Sequence, residues 1–224
     1  MPVHLGSMGK SIQTIIHNRN GVMSRGDVYM LNDPYNGGTH LPDITVISPW
    51  FEKDADFPSY YVATRGHHAD IGGITPGSMP PTSKNINEEG ILFDDFLLAE
   101  NGVFKEKELK DALLSSEYPA RNPEQNIADL KGQIAANEKG LSELDRITSH
   151  YGEETVTAYM NHVQNNAEEA VRRVIYKLNN AEYDYPLDNG AHIRVKVTVD
   201  KTNRSAKLNF NGTSPELDNN FNAP

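Results

Sequence analysis

The sequence predicts an α+β fold: a β-hairpin-rich N-terminal region, a central antiparallel helical hairpin and a C-terminal β-hairpin. Three observations predict it. Two β-rich runs, residues 44–51 and 60–65, flank the polar turn region 52–56. Apolar residues then recur at alternating three- and four-residue steps through the middle of the chain, and two further β-like runs lie near its end. The expected segments are 1–118, 119–180 and 181–224.

The chain opens extended and then places Ile12, Ile15 and Ile16 at a helical spacing that stops near Asn20 and Gly21, which predicts a brief helix. Asp27, Val28, Tyr29, Met30 and Leu31 read as a strand. It runs into Asn32-Asp33-Pro34 and a glycine-bearing loop that delivers His40. If the next two runs form a symmetric hairpin centred near Ala55, paired residue numbers sum to about 110 and Asp43 falls opposite His67. From Asp70 to about Gly90 the density of Gly, Pro, Ser and Asn predicts a long irregular loop. Asn122 as cap and Pro123 at the first helical position start a helix whose seam is Ile127, Leu130, Ile134, Leu141 and Leu144, with Asn137 in one seam position to fix register. Gly152 breaks it before a second helix with the seam Val156, Met160, Val163, Ala167, Ala170 and Val174, and the short connection makes the pair antiparallel. Runs 193–199 and 206–210 form the last hairpin. Residues 219–224 carry no helix or strand pattern, and the chain reads as cut from a longer one.

Lys+Arg 21 against Asp+Glu 31 gives a net charge of −10 over 224 residues. Binding nucleic-acid phosphates needs clustered Lys and Arg, so nucleic acid is excluded as a partner. The absence of cysteine excludes disulfides, thiolate ligands and a cysteine nucleophile, and fits a reducing cytosol. No stretch approaches the roughly 20 apolar residues that span a bilayer. A soluble, cytoplasmic protein without a membrane partner is expected.

The chemistry is expected around His40 and Asp43. Pro42 between them disfavours a helix, so only the hairpin register can bring them to His67. Two imidazoles and a carboxylate suit Zn, Mn or Fe and leave positions open for water or substrate, as catalytic sites do. The competing reading of His-x-x-Asp is a hydrogen-bonded turn. His68 points to the other face of the strand and ranks behind His67, as does Asp70. Gly37-Gly38-Thr39 lacks the lysine of a phosphate-binding loop. Ser7, Ser78 and Ser83 lie in no nucleophile elbow. Glu88-Glu89 and Asp94-Asp95 read as solvated or capping residues.

Pro2-Val3-His4-Leu5-Gly6-Ser7-Met8, Asn32-Asp33-Pro34-Tyr35, Gly37-Gly38-Thr39-His40-Leu41-Pro42-Asp43 and Gly66-His67-His68-Ala69-Asp70-Ile71-Gly72-Gly73 follow one another in the chain. With Gln133-Ile134-Ala135-Ala136-Asn137 and Gly212-Thr213-Ser214, this series resembles the hydantoinase B / 5-oxoprolinase / acetone carboxylase family along essentially the whole chain. The resemblance implies an enzyme subunit in a hetero-oligomer, partnered by or fused to a hydantoinase A-like subunit that binds and hydrolyses ATP. It implies ATP-driven ring-opening hydrolysis of a small cyclic amide such as 5-oxoproline or hydantoin, with ATP-driven carboxylation of a ketone such as acetone as the alternative. A third possibility is an inactive scaffold that only binds a partner. The family's ligand pattern for a divalent metal (Mn, Zn or Fe) matches His40, Asp43 and His67, with His68, Asp70 and His4 as further candidate catalytic residues. Family subunits are longer than this chain at both ends.

Overall fold

A computed structural model of the chain describes residues 2–222. Met1, at the start of the expected extended stretch, and Ala223 and Pro224, at the end of the expected irregular one, lie outside the described residues. The fold is α+β. Strands β1 (Val28–Leu31), β2 (Asp43–Trp50), β3 (Tyr60–His67), β4 (Phe96–Glu100) and β5 (Val103–Phe104) form an antiparallel sheet in the order β3-β2-β1-β4-β5. Strands β6 (Ala181–Pro186), β7 (His192–Asp200) and β8 (Ser205–Asn209) form a second, in the order β6-β7-β8. The helices are α1 (Pro2–Asn18), α2 (Glu106–Leu114), α3 (Pro123–Tyr151) and α4 (Glu153–Lys177). The chain divides into two compact units, one running to Leu144 and resuming at Asp218, the other spanning Asp145–Leu217.

In the first unit the strand period of two sorts side chains onto two covered faces. Ile44 and Val46 of β2 join Val28, Met30, Leu98, Leu109, Leu113, Ile127 and Leu130 in the larger core, under α2 and the first half of α3. Ile47 joins Tyr29, Leu31 and Ile15 in the smaller core, under α1. Strand β2 is therefore buried at all eight positions. Each fully buried Ile or Leu contributes about 1.5–3 kcal/mol. The β2–β3 hairpin takes the expected register, from Asp43 opposite His67 to Trp50 opposite Tyr60.

Helix α1 corrects the expectation of an extended start: it begins at Pro2. Its first turns are held by polar contacts, so the spacing of apolar residues does not reveal them. Strands β4, β5 and β6 and helix α2 lie outside the expected elements. Helix α2 is fixed by Leu109 and Leu113, one turn apart and both fully buried. The stretch 70–90 is irregular as expected, apart from a single 3₁₀ turn at Ile86–Glu88.

Helix α3 starts as read, with Asn122 Oδ1 accepting from the Gln125 N–H at 3.3 Å. Asn137 is fully buried and anchors α3 to the sheet, its amide donating to Val46 O and Ser48 Oγ at 3.1 Å each. Gly152, at φ +82°, separates α3 from α4. The α4 seam is buried at Val156 but open further along, with Val163 69% and Val174 58% exposed. Within its unit α4 instead touches β7 and β8, where Arg172 donates to Asn203 O and Arg204 O. Among the described residues no helix is long and apolar enough to cross a membrane.

Candidate metal centre

The stretch from β1 to β2 is shaped by short-range hydrogen bonds. Asp33 Oδ1 accepts from Tyr35 N–H and caps the 3₁₀ turn Pro34–Asn36; Gly37, at φ +90°, ends it. The Asp43 N–H then donates to His40 O at 2.9 Å, a tight turn that sets His40 beside Asp43 at the start of β2.

Asp43 is 3% exposed, and a buried carboxylate needs hydrogen-bond donors. His4 Nδ1 lies 2.8 Å from one oxygen and His67 Nδ1 2.7 Å from the other. Thr39 Oγ1 donates to the first at 3.3 Å. A neutral imidazole that donates its Nδ1–H to the carboxylate keeps Nε2 available as a metal ligand. The His4 and His40 rings stand 5.2 Å apart. His4, His40 and Asp43 each offer a ligand atom within 4.8 Å of the other two. Two nitrogens and a carboxylate oxygen, with the His40 side exposed, fit a divalent Mn, Zn or Fe with coordination positions left open.

Of the six residues singled out in the sequence, the structure brings together His4, His40, Asp43 and His67. His67 reaches the group through Asp43 while its ring remains 58% exposed, and His4 takes the inner position. His4 arrives from α1, which no register argument about the hairpin can include.

His68 and Asp70 lie elsewhere. His68 is 1% exposed on the α3 face of the sheet. The Asn126 amide donates to Asp70 O and to His68 Nδ1, and the Gln133 amide donates to Ile44 O, which leaves Gln133 Oε1 to accept from His68 Nε2. The neutral Nε2–H tautomer satisfies every bond. Burial pushes the His68 pKa below the ordinary histidine value, outweighing the Gln133 hydrogen bond and the Asp129 charge. Asp70 organises the loop after β3 through the backbone of Gly72, Gly77 and Arg121.

Arg65 was not among the expected residues. It precedes His67 by two and so shares its face, opposite Thr45 in the ladder. Its guanidinium donates to Thr45 Oγ1, His4 O, Ser7 Oγ and Ser11 Oγ at 2.8, 2.9, 2.5 and 2.8 Å. Burial works against its charge, and the Asp43 carboxylate supports it.

A family model described as Hydantoinase B/oxoprolinase matches residues 1–224. The 5-oxoprolinase 1 of Arabidopsis thaliana is 42% identical over 249 residues, a match covering 100% of this chain and 19% of the relative. The chain thus spans about a fifth of that relative's length. Two solved structures share the fold. The ATP-dependent caprolactamase from Pseudomonas jessenii superposes with a TM-score of 0.81 at 22% identity, covering 97% of this chain and 38% of that one. An acetone carboxylase in nucleotide-free form superposes with a TM-score of 0.80 at 19% identity, covering 95% of this chain and 30% of that one.

Proposed function

The chain belongs to the hydantoinase B/oxoprolinase family, and from that premise we propose that it is the metal-site segment of an ATP-dependent hydrolase that opens a small cyclic amide. The observation that carries the reading is the convergence of His4, His40 and Asp43, with His67 on the far oxygen of Asp43. The relatives support the substrate class: a 5-oxoprolinase and a caprolactamase are both named for cyclic amides. ATP would be used by a hydantoinase A-like subunit or domain, whose product, an activated ring, would pass to this site.

His4, His40 and Asp43 would hold the ion, and His67 would keep the Asp43 carboxylate oriented. A divalent ion bound there supplies Lewis acidity toward a carbonyl oxygen and lowers the pKa of water. The residues do the rest: buried Asp43 fixes two rings through their Nδ1 protons, and exposed His40 marks the side from which substrate enters. The carboxylating alternative has nearly the same fold likeness, but the 42% identity to an oxoprolinase favours ring opening.

Elemental analysis of the purified chain tests the metal reading. About one Mn, Zn or Fe per chain is expected, lost on His40→Ala. Stoichiometric metal in that variant would sink the assignment; none in either would favour a partner-binding scaffold.

A further inference from the structure

We infer that Arg65 is a positioning residue: with Ser7 and Ser11 it forms a polar clamp that sets α1, and hence His4, against Asp43, and that ties in the loop carrying His40 through Gly37. The inference rests on the metal reading above and adds to it what holds the site together.

Helix α1 has little apolar purchase where it carries His4. Among its described side chains the fully buried apolar one is Ile15, and Leu5, beside His4, is 75% exposed. From His4 to Ile15 is about 16 Å along the helix axis. Helix ends fray unless something fixes them. Here that something is polar. Arg65 Nη1 grips His4 O and Ser7 Oγ, Nη2 grips Ser11 Oγ one turn further on, and Nε holds Thr45 Oγ1 on β2. One planar guanidinium thus reads two successive turns of α1 and one strand, which fixes both the rotation of the helix and its position along its axis.

The clamp continues to the third element of the site. Ser11 is fully buried, and its hydroxyl donates to Gly37 O in a short contact. A Cβ added to Gly37 would stand 3.0 Å from the Lys10 carbonyl carbon and oxygen and from Ser11 Cα, and the glycine sits at φ +90°. The backbone of α1 therefore lies directly on the loop that leads into His40. Through Arg65 and Ser11 the carriers of His4, His40, Asp43 and His67 are joined on one face of the sheet. A lysine at 65, with three donors on a single nitrogen, could not span the four acceptors that the guanidinium reaches from three nitrogens.

The test is calorimetric titration of the metal-free 224-residue chain with Mn²⁺ and Zn²⁺, using wild type, Arg65→Gln, His4→Ala and the double variant. Wild type should bind one ion. Arg65→Gln should weaken binding about 10–100-fold, the usual cost of losing a group that orients a ligand. In the His4→Ala background Arg65→Gln should cost clearly less than in wild type, because the larger part of its effect runs through His4 and only the tie to the His40 loop remains. Ser11→Ala, which removes one hydroxyl, should weaken binding several-fold and serves where Arg65→Gln does not fold. Affinity unchanged in Arg65→Gln and Ser11→Ala, or losses that add fully in the double variant, would overturn the clamp alone. A wild-type chain that binds neither ion would overturn the metal reading and the clamp with it.

Discussion

Asp70 accepts from the backbone N–H groups of Gly72, Gly77 and Arg121 and from the Arg121 guanidinium, and so knits a turn rich in glycine to the approach of α3. Burial by itself raises its pKa, but the Arg121, Gly72 and Gly77 N–H groups together with the guanidinium outweigh that and hold it below the ordinary value of 3.8. A carboxyl whose pKa is lowered by folding stabilises the fold fully above its unfolded value and loses that contribution as pH falls through its folded value. Asp70→Asn should therefore cost about 2 kcal/mol at neutral pH, typical of hydrogen bonds to a charged group. The gap from wild type should narrow between pH 5 and pH 3. Urea midpoints of both proteins across that range measure it, and a gap that stays constant would show that the charge is not what Asp70 contributes. The cluster of His4, His40 and His67 around Asp43 differs in kind: its polar atoms converge on one carboxylate, whereas those of Asp70 are spent on the backbone.

At the scale of elements, the same residue type has opposite consequences along α3. A Cβ at Gly132 would meet nothing within 4 Å, whereas one at Gly140 would stand 2.8 Å from Val62 Cγ1 on β3. Glycine in a helix interior costs about 1 kcal/mol relative to alanine. Gly132→Ala should raise stability by about that amount, and Gly140→Ala should give no gain or a loss, because α3 must move off the sheet or Val62 must shift. Thermal and denaturant unfolding of the two variants decide it; equal gains would mean that α3 sits further from β3 than described. The close approach at Gly140 belongs with the polar anchors above it. Gln133 reaches Ile44 O at 3.0 Å and Asn137 reaches Val46 O at 3.1 Å, so one helix face grips alternate residues of β2.

Across the whole molecule the two units differ in how they are buried. The unit ending at Leu144 holds both apolar cores, while in Asp145–Leu217 the buried apolar side chains among the described residues are Val156 and Ala191. Tyr159, Val163, Tyr183, Leu208 and Phe210 of that second unit are each more than half exposed. Few buried apolar contacts mean low local stability and frequent opening. Amides of α4 and of β6–β8 should exchange with solvent faster than those of β2 and the first half of α3, as measured by hydrogen exchange on the intact chain. Uniform protection would show that the second unit has a source of stability beyond its own core.

The elements legible in the sequence were those whose pattern is local. Alternation and a symmetric turn set the β2–β3 register and put Asp43 opposite His67; Asn122-Pro123 and the three-four spacing set the start of α3; the resemblance of ordered motifs named the family. Elements with no such pattern were not legible. The first turns of α1 face the sheet with His4, Ser7 and Ser11, and strand β6 is exposed along its length, so neither shows apolar periodicity. The seam of α4 was legible and yet lies open beyond Val156, because periodicity records which residues could be buried and not whether a surface covers them. His4 became the near neighbour of Asp43, and Arg65 the group that holds it there, only through long-range contacts. By itself the sequence determined the local geometry of His40, Asp43 and His67; which donors complete the site was decided by the packing of α1 across the sheet, a contact between segments some 60 residues apart that no local spacing encodes.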